Sequence, residues 1–121
     1  MYNHNRAMCE ELGKKVDRII VSGGGSNGAL FMQIFADIFG IPASRNEING
    51  AVSIGSAICA AVGVGLYKNF EEAMGRMIRP RDQFQPIAAH TDLYRKMNDQ
   101  VYRHITQYTD EVLKKSYPIF G

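Results

Sequence analysis

At 121 residues, 45% of them apolar, the chain has material for one small packed domain. Its 14 basic and 12 acidic side chains leave a formal charge of +2, too little to make nucleic acid or an anionic membrane the main partner. No secretory leader pattern opens the sequence, its most apolar run (51–66) is shorter than the roughly 20 residues of a membrane span, and Cys9 and Cys59 suit free thiols better than a disulfide framework, so a cytoplasmic protein is expected.

The first element expected is an amphipathic helix over 3–15, with Ala7, Met8, Leu12 and Val16 at helical spacing and Gly13 near its end as a stop signal. Residues 16–21 (Val-Asp-Arg-Ile-Ile-Val) are short, β-branched and bounded by Ser22 and glycine, which reads as a buried strand entering a tight turn. Beyond the turn, Leu30, Ile34 and Ile38 with Phe31, Phe35 and Phe39 form two adjacent i, i+4 rows, so a second helix buries a broad face and stops at Gly40. Residues 41–45 allow a short strand. Asn49 is placed to cap a third helix over about 50–66, apolar nearly all round and therefore expected in the core. Asn69 and Glu72 have capping-box spacing for a short helix to Met77, and Pro80 and Pro86 bracket a loop. From Asp92 onward Tyr94, Met97, Val101, Ile105, Tyr108 and Val112 mark one long helix ending before Pro118. Helices alternating with strands make this an α/β layer fold, with about two strands and four to five helices.

The turn between the first strand and the second helix is Gly23-Gly24-Gly25-Ser26-Asn27-Gly28. Three successive glycines remove every β-carbon where the backbone bends, which lets a ligand approach the main chain directly. The helix behind them aims unpaired N–H groups and the positive end of its dipole at the same place, so phosphate is the natural guest. A plain strand-to-helix turn, with Ser26 and Asn27 as helix caps, is the bland alternative. The remaining polar residues read as structural: Asp37 on the second helix, Glu47 before the third, the solvated clump Arg76, Arg79 and Arg81, and His4, His90 and His104, which lack metal-ligand spacing.

Two sharper readings of the loop fit poorly. The spacing Gly23-x-Gly25-x-x-Gly28 satisfies the dinucleotide fingerprint, but the second strand is short and contains Pro42, and Glu47 is the only acidic residue available to follow it. The run 22–28 also resembles the glycine-rich oxyanion loop of patatin-like lipases. The candidate nucleophile Ser53, however, has Ala51 where a nucleophile elbow needs glycine, and no downstream Asp-Gly pair exists.

The resemblance that extends along the whole chain is to the FGGY carbohydrate kinases. Residues 16–26 (Val-Asp-Arg-Ile-Ile-Val-Ser-Gly-Gly-Gly-Ser) resemble the adenosine motif of that family, and Gln33 with 36–42 (Ala-Asp-Ile-Phe-Gly-Ile-Pro) resembles the helix and turn after it. Glu47, 55–63 (Gly-Ser-Ala-Ile-Cys-Ala-Ala-Val-Gly) and 70–74 (Phe-Glu-Glu-Ala-Met) look like the next two helices, and the tail with Tyr94 and Tyr102 is similar to the end of pentulose kinases.

This resemblance implies a carboxy-terminal fragment of an actin/hexokinase-like (ribonuclease H-like) ATPase lobe. It would be a single domain over 1–121, with an adenosine-motif α/β part over 1–79 and a loop plus terminal helix over 80–121. The parent activity implied is phosphoryl transfer from ATP to a sugar hydroxyl. Gly23, Gly24 and Gly25 would lie beside the phosphate and ribose of ATP or ADP, while Ser26, Asn27 and Gly28 would border adenine. The catalytic base, the Mg2+ site and the sugar contacts would come from elsewhere in the kinase, leaving the isolated chain inactive. An unpaired strand edge would then lead the chain to self-associate or to dock on the rest of its enzyme. A non-catalytic association domain that binds no nucleotide is the alternative.

Overall fold

The computed structural model describes the backbone of residues 2–13 and 15–120, and the side chains among them except those of 2–6, 106 and 120. Lys14 and the His4 side chain therefore lie outside the described residues. The order of elements is α1 (Tyr2–Glu11), β1 (Ile19–Ile20), a 3₁₀ turn (Gly24–Asn27), α2 (Ala29–Phe39), β2 (Ala43–Asn46), α3 (Ala51–Gly63), α4 (Phe70–Met77), β3 (Pro80–Phe84), α5 (Ala88–Gln100), a second 3₁₀ turn (Tyr102–His104) and α6 (Ile105–Phe120). This is the expected α/β architecture, with three strands among the described residues where about two were expected and six α-helices where four to five were.

Glycines end the first two helices as expected: Gly13 (φ 61°) follows α1 and Gly40 (φ 64°) closes α2, its N–H donating to the Ala36 carbonyl. The strand β1 pairs parallel with β2 through Ile19↔Ala43 and Ile20↔Ser44, with α2 as the crossover. The segment after Pro80, expected as a loop, is instead the strand β3, antiparallel to β2 with Arg45 directly opposite Asp82. Pro80 is no obstacle there, because it opens the strand.

The core is small: Met32 and Ala36 of α2 lie on Ala43 of β2, with Ile19, Val21, Phe35 and Phe84 packed around them. The face of α2 that is fully buried is thus the Met32–Ala36 row. The phenylalanines expected there line its flank, Phe31 and Phe35 tilted with ring centroids 4.8 Å apart and Phe35 and Phe39 stacked at 6.0 Å. The helix α3, expected in the core, buries only Ile58 and Ala61, and Val52 is 84% exposed. An all-apolar helix is covered only as far as neighbours reach it, and α4 is the main element packed on it. Ile20 on the edge strand β1 and Met8, Leu12 and Val16 are likewise exposed.

Half of the capping box at α4 forms: Asn69 Oδ1 accepts from the Glu72 N–H at 2.9 Å, while the Glu72 carboxylate accepts from the Lys68 N–H, one residue before the N-cap. A long helix closes the chain, but it begins at Ile105. A 3₁₀ turn separates it from α5, which packs on α2. Periodicity did not reveal this break, because one 3₁₀ turn shifts the helical phase by only about 60°. Pro118 lies inside the last turn of α6, where a missing N–H costs one hydrogen bond.

Candidate functional site

The glycine loop connects the end of β1 to α2. Its first residue, Gly23, has φ 90° and ψ 179°, a conformation essentially reserved for glycine. Two bonds to the segment before α3 and two within the loop, from the hydroxyl and the N–H of Ser26, hold it there. The Gly23 N–H donates to the Asn49 carbonyl at 2.7 Å, Asn49 Nδ2 lies 3.5 Å from the Gly23 carbonyl, and Ser26 Oγ donates to that carbonyl at 2.7 Å. Asn49, expected as a helix cap, makes no capping bond to α3, whose N-cap residue is Gly50; its role is to hold Gly23.

Beyond Gly23 the chain winds into the 3₁₀ turn, with the Ser26 N–H donating to the Gly23 carbonyl and the Gly28 N–H to the Gly25 carbonyl, both at 3.1 Å. The six residues singled out from the sequence are therefore contiguous in space, but they divide into two sets. Gly23, Gly24, Gly25, Asn27 and Gly28 are exposed, whereas Ser26 is fully buried with its hydroxyl turned inward. A methyl group at Gly23 or Gly24 would meet no atom within 4 Å, so the main chain there faces open space. At Gly25 it would lie 2.8 Å from the outer edge of the Phe31 ring, which is 41% exposed, so a side chain there requires that ring to move.

The helix α2 starts at Gly28, which has no side chain to cap it. The N–H groups of the first turn thus have no side-chain acceptor of the usual kind, and the positive end of an 11-residue helix adjoins the loop.

The residue most tied to this loop had escaped sequence reasoning. Arg45 of β2 is 5% exposed, and its Nη1 donates to the carbonyl of Ser26 and, at 3.0 Å, to that of Asn27. The other side of the guanidinium makes a fork with Asp82 of β3, Nε to Oδ1 at 2.7 Å and Nη2 to Oδ2 at 2.8 Å, and its carbon lies 5.3 Å from the centre of the Phe84 ring. The hydrogen bond from Arg45 holds the Asp82 carboxyl below its usual range. One signal was available: strand alternation places Arg45 on the same face as Ala43, and a charge there requires a partner. That partner is in segment 80–84, which carries no local strand signal.

Asp37 proves structural. It is 2% exposed and accepts three bonds: from Gln33 Nε2 (2.9 Å), from the Ile87 N–H (2.7 Å), and across the 2.9 Å to His90 Nδ1. Burial pushes its carboxyl up, but the hydrogen bonds from Ile87, His90 and Gln33 outweigh this and hold it below the ordinary carboxylate value. Glu47 caps no helix in this structure; its N–H donates to the Arg79 carbonyl at 2.9 Å. Arg76, Arg79 and Arg81 are exposed, and the described residues contain no group of three or more His, Cys, Asp or Glu that could hold a metal ion. No helix among them is long and apolar enough to cross a membrane.

The sequence profile of the FGGY family of carbohydrate kinases, C-terminal domain, matches residues 1–64, just over half of the 121. The chain is 46% identical over 117 residues to a sugar kinase of Escherichia coli, covering 97% of this chain and 24% of that one. It is 36% identical over 107 residues to autoinducer-2 kinase of Yersinia enterocolitica, covering 87% of this chain and 19% of the other. Its fold is similar to that of xylulose kinase from Lactobacillus acidophilus, with a TM-score of 0.72, 20% identity, and coverage of 99% of this chain and 24% of that one. Gluconate kinase from the same organism gives a TM-score of 0.69 at 21% identity, over 91% of this chain and 21% of its own. The chain thus spans 19–24% of the length of the relatives it matches.

Proposed function

From the premise that this chain belongs to the FGGY family of carbohydrate kinases, we propose that it supplies the adenosine-binding part of an ATP-dependent sugar kinase. The observation that carries the reading is the bare main chain at Gly23 and Gly24, exposed, with open space beyond both Cα atoms and the uncapped start of α2 beside it. A β-carbon would fill that space; without one, a phosphate or ribose can come against the backbone and the Gly24 amide, the Gly23 N–H being taken by the Asn49 carbonyl. In this reading Gly23, Gly24 and Gly25 lie along the phosphate and ribose of ATP or ADP, and Asn27 and Gly28 border the base. Ser26 acts only by shaping the turn, since its hydroxyl is committed to Gly23.

The catalytic base, the Mg2+ ligands and the sugar pocket belong to the remainder of the kinase. The sugar is therefore met only across the assembled cleft, and the protein works in the cytoplasm. The exposed edge of β1 and the uncovered face of α3 are surfaces on which the chain docks to that remainder or to a second copy. Titration of the chain with ADP tests the nucleotide reading: a ligand bound only by the native state raises Tm by mass action. A folded chain whose melting does not move at millimolar ADP would contradict it. Sugar phosphorylation by the purified chain alone would contradict the assignment of the catalytic groups elsewhere.

A further inference from the structure

We propose that Arg45, held by Asp82, is the positioning residue that sets the conformation of the glycine loop and through it the affinity for nucleotide, an inference that rests on the reading above. The argument begins with the polarity of the 3₁₀ turn. Its N–H groups point toward the N-terminal end and its carbonyls toward the other, so the last carbonyls have no partner within the turn. Those carbonyls belong to Ser26 and Asn27, and a single Arg45 nitrogen takes both. A cation at this end is also favoured by the dipole of the turn. Arg45 therefore grips the turn from its carbonyl end and leaves the opposite end, at the exposed residues Gly24 and Gly25, clear.

The grip is as rigid as the guanidinium is. Its plane is fixed by the two-bond fork to Asp82 directly across the β2–β3 ladder and by the Phe84 ring. Ser26 completes the arrangement from inside by bonding Gly23. No atom of Arg45 or Asp82 lies within 4 Å of a β-carbon placed at Gly23 or Gly24, and in this reading both act through the loop rather than on the nucleotide. They act by keeping four glycines, which have large conformational freedom, in one shape before the ligand arrives. The strand β3 thereby becomes part of the nucleotide site without contacting it.

The test compares the chain with Arg45→Met, Arg45→Lys and Asp82→Asn, and with Asp92→Asn as an exposed-charge control. Two measurements are made where circular dichroism shows each variant folded: ADP affinity by calorimetry, and amide hydrogen exchange across 23–28. The expectation is an ADP Kd raised by about tenfold in Arg45→Met and Asp82→Asn, with faster exchange confined to the loop. Arg45→Lys, which can still reach the carbonyls, falls between, and Asp92→Asn matches wild type. If Arg45→Met does not fold, Asp82→Asn, whose side chain is 40% exposed, decides the question. Unchanged loop exchange, or an unchanged Kd with the loop loosened, overturns the positioning role. A wild-type chain that binds no ADP instead overturns the nucleotide reading and the functional half of this inference, while loop exchange still decides the structural half.

Discussion

Replacing Asp37 by alanine should loosen the attachment of α5 to α2, and the size of the effect follows from the three donors it serves. The Ile87 N–H is the least replaceable, because it belongs to the N-cap residue of α5 and bonds the buried carboxylate at 2.7 Å. Losing a hydrogen bond to a charged acceptor costs about 2 kcal/mol. Gln33 and His90 have alternatives: Gln33 Nε2 also bonds the Gln85 carbonyl at 2.9 Å, and the His90 side chain is half exposed. Their two bonds together add about 1 kcal/mol. A loss of about 3 kcal/mol at about 4 °C per kcal/mol for a chain of this size lowers Tm by about 12 °C. Asp37→Asn keeps an oxygen for Ile87 and Gln33, and His90 can change tautomer to accept from the new amide, so it should cost about 1 kcal/mol. Thermal unfolding followed by circular dichroism distinguishes these outcomes. An Asp37→Ala variant melting within about 2 °C of wild type would refute the assignment of Asp37 as the clamp of α5.

The same carboxyl sets a pH dependence. Because the Asp37 and Asp82 values are lowered on folding, their contribution is fully present above the unfolded carboxylate value near 4 and is lost as pH falls through the folded values below it. Urea midpoints should accordingly hold from pH 7 to about 5 and drop below about 4, with a shallower drop in Asp37→Asn. Gly23→Ala should cost about 1–3 kcal/mol from its positive φ despite the open space. Gly24→Ala should change stability by no more than about 0.5 kcal/mol yet weaken ADP binding about tenfold; equal ADP affinity in Gly24→Ala and wild type would count against the placement of the nucleotide. Asn69→Ala should destabilise by about 1 kcal/mol through loss of the α4 cap, read from denaturant unfolding.

Local chemistry determined a good deal in advance. Glycine stops at 13 and 40, the Asn69–Glu72 cap, a β-branched run entering a glycine-rich turn, and the α/β alternation all depend on residues within a few positions of one another, where side-chain type dictates backbone geometry. What escaped depended on distant partners. The segment 80–84 is polar and starts with proline, so nothing local marks it as a strand; it becomes one because β2 offers it a ladder and Arg45 offers Asp82 a fork. Composition put α3 in the core, yet burial is set by which elements reach a helix, and α4 covers one stripe. The loop shows both levels together. That residues 23–25 leave the main chain bare follows from their being glycine, but which end of the turn faces solvent is decided by an arginine 19 residues beyond Ser26 and an aspartate 37 beyond that arginine, brought together only by the sheet.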